Sequence, residues 1–381
     1  MKVGILSYPM LFQNDGGLQV QIRESIAQLR LLGVDVRLLD VTTDKLADYD
    51  IVHVFAATQG NYKLVEQARA KGCAVVVSGL LNRALVPRNA LSLSAVKLLG
   101  KAIGRLSHYS VTTTYETVKK ALTEADHVIA LSQWERTTLS QVYAVRPEKV
   151  SVIPNGVSTH FYDADAAAFM ALHSIEGQFV FCPAQISSWK NQKTLIQALA
   201  HTGITVVLAG SVPEREKAYF SECLTVPGAK VRYLGNLDRN SAEFAGCFAA
   251  AAAVVLPSTS ESGPLVALEA LAAGTPAIIT SNNGLDMKLD GVCLSAVNPF
   301  DVAAWRAEVL RVLAAPRNAA HFKQAVADCS WNQVALHIKK IYEEQIQARA
   351  RGRAGAPKPV SANGSIAVYE DEDAESALAS G

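Results

Sequence analysis

The sequence has few of the features that mark several large protein classes. Its six cysteines, at positions 73, 182, 223, 247, 293 and 329, form no CxxC pair and no cluster with histidine. Thiols scattered in this way pack as small hydrophobes, which argues against a disulfide framework or a zinc site, and no metal is expected. Charge of one sign is scarce too, since 36 Lys+Arg against 35 Asp+Glu leave a formal net charge of +1. A nucleic-acid-binding chain carries a clustered basic excess, so no nucleic-acid partner is expected. Long apolar runs are also missing. The first, Val3 to Leu6, is only strand length and does not read as a secretory signal. The longest, Phe244 to Leu256, is shorter than the roughly 20 residues a bilayer span needs. Together these absences predict a cytosolic chain.

What is present is enough apolar material for two cores: 381 residues, half of them hydrophobic. Short apolar runs alternate with helical patterns, the signature of parallel α/β sheets. The first half predicts strands at 2–7, 34–39, 51–55, 73–78, 127–131 and 150–153. After the first strand come Asp15-Gly16-Gly17 and a helix with Leu18, Ile22, Ile26, Leu29 and Leu32 on its apolar face, ended by Gly33. Pro154-Asn155-Gly156 breaks the pattern, which restarts with strands near 179–182, 205–209, 231–234, 253–256 and 277–279. The expected organisation is an N-terminal domain over 1–155, a C-terminal domain over 156–330 and a helix over 331–348. The Gly-, Ala-, Pro- and Ser-rich tail over 349–381 is expected to be disordered. Two doubly wound parallel-sheet domains in tandem would face each other across a cleft, where ligands bind at the carboxyl ends of the strands.

The segment from Pro257 to Pro276 carries the most chemistry. A buried strand ends at Leu256, and a polar loop follows with Glu261. Ser262 and Gly263 then suit capping, and Pro264 suits a first helical turn. The helix reads Leu-Val-Ala-Leu-Glu-Ala-Leu-Ala-Ala, apolar on every side except at Glu269. A helix apolar all round is buried, and an unpaired carboxylate inside it would be costly. Two readings stay open on the helix alone. Glu269 pairs with an Arg or Lys of another layer, or it opens into the cleft and binds vicinal hydroxyls such as those of a ribose. Hydrogen bonds to a charged group contribute roughly 1.5–3 kcal/mol.

These residues resemble the signature of the glycogen-synthase-like retaining glycosyltransferases, family four of the two-Rossmann (GT-B) class, in which two glutamates eight positions apart flank a helix start. The resemblance extends to Val152-Ile153-Pro154-Asn155-Gly156-Val157, Ala184 to Leu199, Leu208-Ala209-Gly210, Tyr233-Leu234-Gly235, Asp50 to His53 and Gly274-Thr275-Pro276. It implies a nucleoside-diphosphate sugar as donor substrate, no further cofactor, a glycan or lipid-linked acceptor and retention at the anomeric carbon. Glu261 would lie near the donor sugar and Glu269 would hold the ribose. Lys190 would grip the diphosphate, with the amides of Leu265 and Val266 beside Gly263. Gly16 and Gly17 would approach the diphosphate or acceptor.

Three departures from the pattern stand out. Gln185 occupies the place of an Arg on the diphosphate, and it offers neutral donors instead of a charged fork. Gly263-Pro264 replaces an aromatic-glycine pair, and Pro264 has no N–H to offer. Ser78-Gly79-Leu80 follows the fourth strand where many relatives have a histidine. A sugar-nucleotide epimerase and a non-catalytic nucleotide-sugar-binding subunit share this fold plan and stand as alternatives.

The remaining candidates carry less. His53, inside a strand, reads as a core histidine, whereas His108 and His127 flank a helix and could face the cleft. Residues 91–106 form an amphipathic pattern with Lys97, Lys101 and Arg105 at four-residue steps. That is ordinarily a solvated helix face, and an enzyme with a lipid-linked acceptor would rest such a face on the inner membrane surface.

Overall fold

The computed structural model describes residues 1–13, 16–83, 86, 113–175, 177–286 and 293–354. Asp15, the 91–106 segment, His108 and the tail beyond 354 therefore lie outside the described residues. The N-terminal domain is a parallel sheet of β1 (Lys2–Leu6), β2 (Asp35–Leu38), β3 (Ile51–Phe55), β4 (Ala74–Ser78), β5 (His127–Ala130) and β6 (Val150–Val152). Its described helices are α1 (Gly17–Leu31), α2 (Tyr62–Ala70), α3 (Thr114–Glu124) and α4 (Gln133–Gln141). β3 and β4 are buried at every position, as their Val- and Ile-rich runs require in a sheet covered on both faces.

The C-terminal sheet contains β7 (Phe179–Pro183), β8 (Thr205–Ala209), β9 (Lys230–Tyr233), β10 (Ala253–Leu256), β11 (Ala277–Thr280) and β12 (Leu294–Val297), again all parallel. Around it lie α5 (Ala166–His173), α6 (Gln192–Leu199), α7 (Lys217–Leu224), α8 (Ala242–Ala250), α9 (Leu265–Ala272), α10 (Val302–Ala314) and α11 (Ala319–Ala325). β12 has no counterpart among the expected strands. It is a four-residue edge strand with two small residues, Ser295 and Ala296, and it is defined by pairing with β11 more than by its own composition.

The two sheets differ in strand order: β2-β1-β3-β4-β5-β6 in the first and β12-β11-β10-β7-β8-β9 in the second. The second is the dinucleotide-binding order, with its switch point between β7 and β10. The first turns around between β1 and β3. A ligand is expected just beyond the carboxyl ends of the strands at each switch point.

The chain crosses between the domains twice at one place. Val157 on the way out donates its N–H to the Cys329 carbonyl on the way back, at 2.8 Å. A Cβ on Gly156 would lie 2.6 Å from the Trp331 backbone nitrogen, so the crossing is close enough to require glycine. The last helix, α12 (Trp331–Ala354), then returns to the N-terminal domain. It buries Trp331, Val334, Ile338, Ile341 and Tyr342 among Val3, Ile5 and Phe55. It runs past residue 348, where the sequence pattern predicts its end, because its later turns still lie on the first domain. There Arg349 bonds the Gly72 carbonyl and pairs with Asp126.

Candidate functional site

The loops at the β7/β10 switch point are tied together before any side chain enters the cleft. After β7, the Ile186 N–H donates to the Ser211 carbonyl, which extends the sheet pairing past the strand end. Ser187 turns the chain by accepting from the Lys190 N–H, at 3.0 Å on its carbonyl. Asn191 takes a left-handed conformation, and its amide donates to the Pro257 and Pro299 carbonyls at 3.1 and 2.8 Å. On the β10 side, the Thr259 N–H donates to the Trp189 carbonyl, and the Glu261 N–H donates to the Asn282 carbonyl. These bonds bring Lys190 Nζ within 2.6 Å of Glu261 Oε1, although 71 residues separate them. Gln185 belongs to the same β7 loop, with its Nε2 3.5 Å from Ser211 Oγ.

Beside this ion pair the helix α9 begins with Pro264 as its N-cap, and no side chain caps it. The amides of Leu265 and Val266 are thus the first donors of an uncapped helix end, which carries partial positive charge. Across the cleft α1 starts after Gly16, likewise without a side-chain cap. The two starts meet closely: a Cβ on Gly17 would be 3.6 Å from Leu265 Cδ1. Gly263, one residue before Pro264, accepts a hydrogen bond from Asn155 Nδ2 at 2.9 Å. Lys190, Glu261, Gln185, Gly263, Leu265 and Val266 are thus brought together past the β7/β10 switch point, with Gly16 and Gly17 opposite Leu265 in the first domain.

Glu269, one turn further into α9, is 3% exposed and paired with the Arg239 guanidinium. Of the two readings open on the helix alone, the pairing is the one present. Its Oε1 takes Arg239, while its Oε2 is buried with no partner among the described residues. Arg239 also lies over the Phe244 ring, 5.9 Å from its centroid. Burial pulls the guanidinium down to about 10, and Glu24 on α1 opposes that shift. Arg239 escapes sequence reasoning because it sits in the loop after β9, thirty positions before Glu269. The only sequence signal is the carboxylate's own need for a partner.

Two histidines are not in the cleft. His127 opens β5 at the amino end of the sheet, away from the carboxyl ends, and bonds Ser151 Oγ at 2.9 Å. Of the two positions open to it in the sequence, His127 thus takes the one away from the cleft, because the first residue of a parallel strand lies at the amino end of the sheet. Burial pulls its pKa down to about 4. His53 is a satisfied core histidine, 2.7 Å from Tyr342 OH and 2.9 Å from Ser78 Oγ, held down to about 3 by burial. Among the described residues no group of three His, Cys, Asp or Glu side chains is arranged to hold a metal, and no helix is long and apolar enough to cross a membrane.

Comparison with known families bears on this geometry. The model described as "Glycosyl transferases group 1" matches residues 171–328, and that described as "Glycosyltransferase Family 4" matches residues 44–161. Both halves of the chain thus match glycosyltransferase family models, the second half that of group 1. Its fold is GT-B, with the group 1 match covering the domain that holds Lys190, Glu261 and Glu269. A D-inositol 3-phosphate glycosyltransferase of Segniliparus rotundus is 30% identical over 252 residues, which cover 61% of this chain and 55% of that protein. The Xylanimonas cellulosilytica protein of the same name is 26% identical over 61% of this chain and 60% of its own. The chain thus spans under two thirds of the length of these relatives. Among solved structures, the sucrose-phosphate synthase of Thermosynechococcus elongatus superposes with a TM-score of 0.70 at 19% identity, covering 91% of this chain and all of that one. Anabaena HepE in complex with UDP superposes at 0.67 and 19% identity, over 90% of this chain and all of that one.

Proposed function

We propose that this protein is an enzyme that transfers a sugar from a nucleoside-diphosphate sugar to a hydroxyl of a glycan or lipid-linked acceptor, with retention at the anomeric carbon and without a bound metal. The observation that carries the proposal is the Lys190–Glu261 pair at the β7/β10 switch point, facing two uncapped helix starts. Support also comes from the relatives' names, which are those of glycosyltransferases, and from a fold neighbour that was solved in complex with UDP.

In this reading a diphosphate draws Lys190 away from Glu261 and takes the amides of Leu265 and Val266. These donors stabilise the leaving group as the bond from the anomeric carbon to the phosphate oxygen breaks; losing one such donor costs about 10²–10³ in turnover. The acceptor oxygen forms its bond on the same face, and its proton passes to a phosphate oxygen, so no side-chain base is needed. Glu261, released from Lys190, orients the sugar. The unpartnered Oε2 of Glu269 accepts from a ribose hydroxyl.

Gln185 favours a second reading, a nucleotide-sugar-binding subunit without turnover, because it withholds a permanent charge from the diphosphate. Incubation with UDP, GDP and ADP sugars, after a thermal-shift screen for binding, separates the two. Transfer or slow donor hydrolysis supports the enzyme, and tight binding without turnover supports the subunit. Release of an isomeric sugar nucleotide without an acceptor would identify an epimerase. Absence of any nucleotide binding overturns the proposal.

A further inference from the structure

The residues that leave β4 (79–83) and β5 (131–132) lie side by side at the carboxyl ends of their strands, and one side chain reaches both. Glu135, in the first turn of α4, is 2% exposed. Its Oε1 accepts from the Leu81 N–H at 2.8 Å, and its Oε2 accepts from the Leu131 N–H at 2.6 Å. Gly79 makes room for it: a Cβ there would lie 2.7 Å from Oε1. Burial pushes this carboxyl up to about 7, while the N–H groups of Leu131, Leu81 and Leu80 pull the other way. A carboxylate this deep is tolerated only because such donors replace its water.

The same two loops carry contacts to the other domain. Ser260 Oγ donates to Asn82 Oδ1 at 2.7 Å, and the Gln133 N–H donates to the Asp286 carboxylate. A Cβ on Gly263 would lie 2.9 Å from Leu131 Cδ1, so the backbone there rests on that side chain. Arg83 stacks over the Trp134 ring, 4.8 Å from its centroid, and joins one loop to the other. Ser260 and Gly263 bracket Glu261. The placement of Glu261 against the first domain thus depends on how well the two loops hold together.

We infer that Glu135 is a positioning residue that locks the β4 and β5 exit loops into a single lip, on which the Ser260–Gly263 segment of the C-terminal domain closes. It touches no substrate. Its effect reaches the reaction through the register between the two walls of the cleft.

The test is Glu135→Gln in the full chain, with Gly79→Ala as an independent second variant. Gln keeps one acceptor and turns a donor toward the other N–H. At position 79 the added methyl crowds the carboxylate and leaves the acid in place. Hydrogen exchange at Leu81 and Leu131 is expected to quicken at least about tenfold in both, with a parallel rise over 260–266 and none in β7–β9. Transfer is expected to fall about tenfold or more while the Kd for UDP, GDP or ADP (whichever the unaltered protein binds) stays within about threefold. Unchanged exchange at Leu81 and Leu131 in the folded variants overturns the inference. So does a loss of nucleotide binding in step with transfer, which marks a merely structural carboxylate. If the Gln variant fails to fold, Gly79→Ala decides. The turnover measurement rests on the transferase reading. A protein that binds no nucleoside diphosphate sinks that reading, while the exchange measurement still decides the role of Glu135.

Discussion

The N-terminal sheet buries His53 and His127 within its strands and Glu135 just past their ends, whereas the C-terminal sheet is filled by Phe179, Phe181, Phe244, Phe248 and the thiols of Cys182, Cys223 and Cys247. In the second domain Lys190 pairs with Glu261 beyond the carboxyl ends of the strands, and Glu269 pairs with Arg239 from inside α9. The first domain thus sets histidines into buried strands, and the second carries Lys190, Glu261, Arg239 and Glu269 in loops and in α9. A further asymmetry follows from α12, which completes the core of the first domain with residues from the end of the chain.

Acid should break the comparison most sharply. His53 is held down to about 3 from an ordinary 6.5, so its stabilising contribution is present above pH 6.5 and is lost as pH falls toward 3. His127, held down to about 4, acts in the same direction. Glu135 acts oppositely: raised to about 7, its contribution is present below about 4.5 and lost as pH rises through 7. His127 and Glu135 nearly cancel, which leaves about 4–5 kcal/mol to be lost by pH 3 through His53. Segment-resolved hydrogen exchange across a pH series should show the first sheet opening before the second. Simultaneous opening would dissolve the contrast.

Phe248→Ala should reverse the order of opening. Its ring lies fully buried among Phe161, Phe181 and Phe244, and truncation of such a ring costs about 3–5 kcal/mol. Urea unfolding at neutral pH should then show the second domain melting first. Tyr342→Phe is a gentler probe of the other side. It leaves His53 Nδ1 without its 2.7 Å partner at a cost of about 1–3 kcal/mol, read as a lower urea midpoint. The last probe is read on the ligand, although Glu269→Ala also strips Arg239 of its partner: nucleoside-diphosphate binding should weaken by about tenfold. Titration calorimetry showing unchanged affinity for UDP and GDP would remove the ribose role and leave Glu269 as the partner of Arg239 only.

The strands were legible because parallel sheets buried on both faces need apolar runs, as at Ala74–Val77 and Ala253–Leu256. The short edge strand Leu294–Val297 was not, since its pattern owes more to β11 than to itself. Within the site, Glu261 and Glu269 could be read from a local pattern in which they stand eight positions apart. Arg239 and Tyr342 could not, because each meets its partner across a gap of thirty residues or more, where no periodicity links the two positions.

By itself the sequence determined two parallel α/β domains, a polar loop and helix start at 257–269, and a carboxylate in an apolar helix that demanded a partner. These follow from local rules of periodicity, capping and burial cost. The tertiary structure decided which partner Glu269 took, which of the histidines lay away from the cleft, and that the last helix closed the first domain. It also decided that one buried carboxylate, Glu135, spans two loops. Each of these depends on where distant segments come to rest, and hydrophobic burial drives that assembly without encoding it in any short stretch of chain.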